Sequence, residues 1–449
     1  MNHPRAAATQ EETYIDRRNF ITGALAAGAA SLFAGDEALW QAALRHPKVG
    51  EAWTGWNPGE FQVHFIYTGV AESMFLIFPD GTSMLLDCGS HAAHKRGKLA
   101  VKVLPSLDRH AGEWIARYVR RVNPAKDHVD YMLLSHFHSD HAGCEGWSVG
   151  KTSGRDPDYF LSGFAQAAEF LHFDTAIDRG WPDYNDPIPL SGNVDDGTLR
   201  NMKALYAHLA RRDGLKVEKC ALGSSTQIAQ RKGGKAADGF KAFNFAVNGR
   251  ICSPKTGEVT DLYRWVLANK KPKGLNENGM SIGTLFTYGD FTFYTAGDFS
   301  DHRLVGEKVR RYTEDDLAAI MPRVDVAKIN HHGHHSMYPV LAKALDARCY
   351  VACIWDQLHC TDDTMRWLEE GPGAHTYFPG IVPTIEIAKD GKRRPWMEKC
   401  PAPMWEGAHT VLTVPPGGKG YSMTCLSAAD EAMTVKAAFD FETRRKPAG

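Results

Sequence analysis

Residues 133 to 143 read LLSHFHSDHAG, and the six positions from 136 to 141 include His136, His138, Asp140 and His141 directly after an apolar run. Side chains two apart on an extended strand end point the same way, so His136 and His138 can offer two imidazoles to one cation. Asp140 and His141 lie past the strand end, where a turn lets them reach a second cation beside the first. Mixed imidazole and carboxylate donors suit zinc, with manganese or iron as alternatives. Two adjacent divalent cations lower the pKa of a shared water and polarise a scissile bond, which is the chemistry of a hydrolase. Asp140 and His141 are the expected catalytic pair, with Asp140 also orienting the attacking water.

Such donors need strands that end together. "QVHFIYTG" (62–69) and "ESMFLIFPDGTSMLLDCGS" (72–90) read as strands, the second stretch folding into a hairpin at Pro79-Asp80-Gly81. "HVDYMLLS", "GDFTFYTAGD", "RVDVAKINHHGHH" and "ARCYVACIWDQLHC" are short apolar runs that end in polar or metal-capable residues. Helical spacing marks "RHAGEWIARYVRRV" (109–122), and "TDDTMRWLEE" reads as another helix. Strands alternating with helices predict an α/β sandwich with its ligands presented at strand ends. Residues 150 to 275 differ, holding Gly-rich breaks and one clear helix, "DDGTLRNMKALYAHLARRDG", so they read as an insertion. Between 199 and 273 stand sixteen Lys or Arg against five Asp or Glu, an excess of eleven. That excess either points outward into solvent or forms a wall that steers an anionic substrate.

A chain of 449 residues with a formal net charge of −1 gives no global sign of a nucleic-acid or membrane-surface binder. Nine scattered cysteines with no C-x-x-C pair form neither a disulfide framework nor a zinc ribbon. No apolar stretch is long enough to cross a membrane, so no stable membrane insertion is expected. "DRRNFITGALAAGAASLFAG" resembles a twin-arginine export signal, with Arg17 and Arg18, Phe20, and a weak Ala/Gly-rich stretch after them. Glu11, Glu12 and Asp16 depart from the basic character usual in such leaders. The expectation is a signal over 1–35, passage through the twin-arginine machinery, and a periplasmic or secreted protein. "GMSIG" (279–283) matches the serine-hydrolase elbow, but a strand-like run follows it rather than a helix, making Ser281 a strand residue. "GWSVGKTS" is one residue short of a phosphate loop.

H-x-H-x-D-H after an apolar strand resembles the signature of the metallo-β-lactamase superfamily. The resemblance implies a four-layer αββα sandwich carrying the basic insertion, over residues 58–425, with a C-terminal tail at 426–449. It implies two divalent metal ions, held by His136, His138, Asp140, His141, Asp298 of "TAGD" and His332 of "KINHHGH", with His331 as the fallback. Asp87 of "MLLDCGS" is similar to the family's early aspartate and would organise the ligands from behind. "FIYTGVAESMFLIFPDGTSMLLDCGS", "NENGMSIGTLFTYGDFTFYTAGD" and "VDVAKINHHGHHS" look like the hydrolase domain of the competence DNA-uptake channel ComEC and its soluble relatives. "DQLHCTDDTMRWLEEG" fits that branch too and puts His359 at the rim of the site. The superfamily's usual third histidine on the first metal has only His172 and His208 as candidates, neither in suitable context, and Asn278 is the other neighbour. "YTGVAES" replaces the acidic and glutamine positions common in the branch, and His334 and His335 read as exposed loop residues. The expected activity is phosphodiester hydrolysis on nucleic acid or a phosphorylated envelope component. The alternatives are lactam, lactone or thioester hydrolysis, or an exported binding protein with a degraded metal site.

Overall fold

The computed structural model describes residues 47–143, 145–152, 157–189, 196–233, 238–271, 275–384 and 392–444. The expected export signal at 1–35 lies outside them. The β-prone runs become two large sheets. The first holds β1 (Phe61–Phe65), β2 (Ser73–Ile77), β3 (Ser83–Cys88), β4 (His128–Leu133), β5 (His172–Asp178) and β6 (Lys216–Lys219). It is extended by β17 (Ala408–Val414), β18 (Gly420–Ser427) and β19 (Val435–Glu442), in the order β19-β18-β17-β1-β2-β3-β4-β5-β6. The second holds β7 (Phe240–Val247), β8 (Arg250–Cys252), β9 (Val259–Asp261), β10 (Gly283–Tyr288) and β11 (Phe291–Thr295). With β14 (Val326–Lys328), β15 (Cys349–Val351) and β16 (Thr376–Phe378) its order is β16-β15-β14-β11-β10-β7-β8-β9. A separate ribbon pairs β12 (His302–Leu304) with β13 (Arg310–Tyr312).

Both faces of the central strands are buried, which is why they read as unbroken apolar runs. The pleat sends alternate residues to two different cores. Met74, Leu76, Met84 and Leu86 enter the core between the sheets with Phe286, Phe293 and Tyr294. Phe75, Ile77, Leu85 and Met132 face the other way, against α1 (Ala111–Val122) and α2 (Asp196–Asp213). Each fully buried side chain of this size stabilises the fold by about 1.5–3 kcal/mol. Helix α1 turns Ile115, Val119 and Val122 inward and keeps Arg120 and Arg121 in its last turn, where cations complement the helix dipole. On the second sheet, α3 (Thr313–Ala318), α4 (Pro339–Leu345) and α5 (Asp362–Glu369) contribute Leu317, Leu341, Leu345, Met365 and Leu368 to the core. Two large sheets flanked by helices agree with the expected αββα sandwich.

Two boundaries differ from expectation. Residues 150–275 are not set apart as an insertion: β5 and β6 continue the parallel run from β4, and β7 to β9 complete the second sheet. The basic excess of 199–273 is met in part. Lys219 and Arg250 pair with Asp186, Arg231 with Asp174, Lys232 with Asp130 and Lys271 with Glu307, all carboxylates from outside the segment. Those five cations therefore do not form a steering wall. The tail expected from 426 instead supplies β19, which pairs along β18 and buries Val435 completely. As an edge strand it is wet on one side, so its residues are mostly polar or half-buried.

Candidate metal centre

The site lies where strands of both sheets end. Parallel β3 and β4 deliver Asp87 and the histidine cluster, and parallel β11, β14 and β15 deliver Asp298, His332 and His359. The backbone of Ile282 donates to Ser135 O at 2.9 Å and joins the two strand-end layers. Gly89 packs so closely here that a Cβ would stand 1.8 Å from Asp140 O.

Asp87 sits at the centre of the support, fully buried with a left-handed φ of 56°. Its Oδ1 accepts from Ser135 N at 2.7 Å, and its Oδ2 accepts from Ser135 Oγ at 2.7 Å and His141 Nδ1 at 2.8 Å. The tautomers follow from these partners. Because Ser135 Oγ donates to Asp87, it accepts from His136 Nδ1 at 3.0 Å, and the lone pair of His136 faces inward on Nε2. That nitrogen is 3.1 Å from His138 Nδ1 and 3.9 Å from Asp298 Oδ2. His141 likewise turns Nε2 inward, 3.2 Å from Asp298 Oδ2 and 3.8 Å from Asp140 Oδ2. His332 donates from Nδ1 to Cys353 O at 3.0 Å, and its Nε2 lies 3.0 Å from Asp140 Oδ2 and 3.3 Å from Asp298 Oδ2.

Two sets of donors result, and they share Asp298. His136, His138 and Asp298 form one, and His141, His332 and Asp298 the other, each within 4.8 Å. Asp140 belongs to the second set by its short distance to His332. Glu72 also falls within 4.8 Å of the second set. Its carboxylate, however, lies 3.3 Å from Nδ1 of His332, the ring nitrogen turned away from Asp140, and is already paired with Lys328 at 2.8 Å. We place it behind the ligands. Imidazole and carboxylate donors in this arrangement fit divalent cations.

The charges balance internally. Burial pushes the ring of His136 well down, helped by neighbouring His141 and His138. His141 is driven up despite its burial because Asp298, Asp140 and Asp87 outweigh it, and for the same kind of reason His332 is pushed up to about 9. Burial opposes the charge of Asp140 and Asp298, yet both carboxyls lie well below their usual range because His141 and His332 face them. Two imidazolium protons thus occupy directions that cations would take, and cation binding displaces such protons.

His331 stands beside the site. Ser300 Oγ donates to Asp298 O, so it accepts from His331 Nδ1 at 2.9 Å, leaving His331 Nε2 to accept from Asn278 Nδ2 at 3.2 Å. Burial pushes His331 down to about 4. Asn278 Oδ1 is buried and accepts no hydrogen bond among the described residues, which leaves it an unused ligand oxygen on the side chain that contacts His331. Neither His172 nor His208 reaches the site: the first is exposed and pairs with Asp213, the second packs on Tyr159. His359 stacks on His332 with ring centroids 5.0 Å apart, and Trp355 meets both rings edge-on. His334 is half-buried and His335 exposed. Ser281 lies in the short turn ahead of β10 rather than in the strand, and its buried hydroxyl accepts from Asp298 N at 3.3 Å.

Sequence reading missed Glu72, Lys328, Arg179 and Glu277. Arg179 and Glu277 form a fully buried ion pair, and Glu277 Oε1 also accepts from Phe137 N at 2.8 Å, within the histidine cluster. The signal for Lys328 was a lone lysine inside the apolar run "VDVAKIN". The stretch "YTGVAES" does keep an acid at the site, Glu72.

A family model described as the metallo-beta-lactamase superfamily matches residues 67–151, a span that holds Asp87 and the histidine cluster but neither Asp298 nor His332. No curated protein matches the chain. The chain therefore carries, over those residues, similarity to a generally hydrolytic superfamily, and its own fold adds the remaining donors of a His/Asp cluster suited to divalent metal ions.

Proposed function

We propose that the protein is an exported, binuclear metal-dependent hydrolase acting on a phosphodiester, in nucleic acid or a phosphorylated envelope component. The observation that carries this reading is the pair of adjoining donor sets sharing Asp298, buried but for the half-buried His138. His136 and His138 would hold one cation; Asp140, His141 and His332 would hold the other; Asp298 would join them. Zinc suits this donor set best, with manganese or iron as alternatives. When bound, two such cations supply Lewis acidity and a nucleophile usable near neutral pH, and on a phosphodiester they stabilise both attacking and leaving oxygens. Asp87 holds His141 and, through Ser135, His136 in the tautomers that present Nε2. Asp140, whose side chain is 12% exposed against 2% for Asp298, is the carboxylate ligand best placed to orient a water arriving from solvent. His359 and Trp355 wall the site beside His332.

The phosphodiester preference rests on the resemblance to the ComEC hydrolase domain, and export rests on the paired arginines Arg17 and Arg18. The lack of a third histidine in the first donor set favours a second reading, an exported binding protein with an incomplete site. The deciding experiment is hydrolysis of bis-p-nitrophenyl phosphate beside a chromogenic lactam, with purified protein reloaded with zinc or manganese. Metal-dependent cleavage of the phosphate is the expected result. Cleavage of the lactam alone would replace the substrate class, and cleavage of neither would favour the binding protein.

A further inference from the structure

We infer that Lys328 and Glu72 are a positioning pair, keeping Asp298 a one-oxygen bridge and fixing the ring of His332 from behind; this rests on the binuclear reading above. Lys328 ends β14 with its ammonium fully buried. Its Nζ donates to Gly297 O at 2.7 Å, pairs with Glu72 Oε2 at 2.8 Å and stands 3.6 Å from Asp298 Oδ1. The other oxygen of Asp298 faces four histidines: Oδ2 is 3.2 Å from His141 Nε2, 3.3 Å from His332 Nε2, 3.9 Å from His136 Nε2 and 4.0 Å from His331 Nε2. The ammonium makes an ion-pair contact with Oδ1 at 3.6 Å without a hydrogen bond, so its charge draws that oxygen away from a cation and leaves Oδ2 to serve the two positions together.

Glu72 completes the device. Its Oε2 lies 3.3 Å from His332 Nδ1, its backbone N donates to Asp140 O at 3.0 Å, and its backbone O accepts from Gly89 N at 3.0 Å. One residue thus touches the turn that carries Asp140, the ring of His332 and the lysine that holds Asp298. Replacing a buried ion pair with apolar residues of like volume is often neutral or stabilising, so stability alone gives little reason for charges here. Their place between two proposed ligands does. Partners of this kind typically change metal affinity about 10- to 100-fold when removed.

The test compares the full chain with Lys328→Met and with the double variant Glu72→Gln/Lys328→Met. Zinc is the probe, titrated against a chromogenic chelator, with visible spectra of the cobalt-loaded protein and urea unfolding of the metal-free protein alongside. We expect both variants to bind the weaker zinc about 10-fold or more loosely and to show altered cobalt bands. The double variant, which leaves no lone buried charge, should regain most of the metal-free stability without regaining zinc affinity. If Lys328→Met fails to fold, the double variant carries the comparison. Wild-type zinc affinity and cobalt spectrum in the double variant would overturn the inference and leave the pair a part of the fold only. A wild-type chain that binds no zinc would overturn this inference and the hydrolase reading together.

Discussion

Lowering the pH from about 6.5 to about 5 separates two core histidines from those of the cation site, and the size of the effect follows from their burial. His64 in β1 accepts from Tyr118 OH at 3.0 Å on Nδ1 and donates from Nε2 to Gln62 Oε1 at 3.2 Å. His409 in β17 accepts from Tyr67 N at 3.0 Å. Both rings are fixed neutral and pushed from the ordinary 6.5 down to about 3, by burial first, then for His64 by the repulsion that His409 would exert were both rings protonated, and for His409 by the charge of Arg121. The unfolded chain protonates these rings below 6.5 while the folded chain does not until near 3, so their contribution is intact above 6.5 and falls away between those limits. Each ring then lowers stability by about 1.4 kcal/mol per pH unit at full effect, which integrates to about 1.6 kcal/mol between pH 6.5 and 5, or about 3 kcal/mol for both. In His409→Asn the amide oxygen can take the hydrogen bond from Tyr67 N without the titration. Urea unfolding of metal-free protein across this range should show the variant losing about 1.6 kcal/mol less than wild type. The cation-site histidines contribute equally to both proteins and cancel. Parallel stability curves for the two proteins would refute the reasoning.

Two further perturbations follow from the buried supports. Asp87→Asn replaces an acceptor of three hydrogen bonds with a group carrying its own donors, and zinc affinity measured by competition should fall about 10- to 100-fold; unchanged affinity would contradict the role given to Asp87. Arg179→Met strands the fully buried Glu277 and should cost about 3–5 kcal/mol in urea unfolding, with part recovered by adding Glu277→Gln; an unchanged midpoint would show the pair to be dispensable.

What the sequence makes legible is local chemistry at strand ends. His136, His138, Asp140 and His141 announce themselves by spacing, and the hairpin at Pro79–Gly81 by its turn residues: Asp80 Oδ1 accepts from Thr82 N at 2.9 Å, and Gly81 has a φ of 86°. Less legible are elements whose character depends on neighbours. Strand β6, "KVEK", has no apolar alternation because it closes the edge of the first sheet, and β19 is half-wet for the same reason. Residues 150–275 therefore read as an insertion although they complete both sheets. Lys328 and Glu72 are 256 positions apart in the chain, and a lone lysine in an apolar run does not name its partner. Only the closure of the two sheets brings their charges together, so neither could be assigned from its own segment.

The central claim is that one buried cluster holds two cations through a shared Asp298. The most direct measurement is bound metal per chain by mass spectrometry, on protein purified from metal-replete cells, for wild type, His136→Ala and Asp298→Ala. The account predicts about two ions in wild type, about one in His136→Ala and fewer than about one in Asp298→Ala. A wild-type chain that carries none, or two variants that carry as much as wild type, would contradict it.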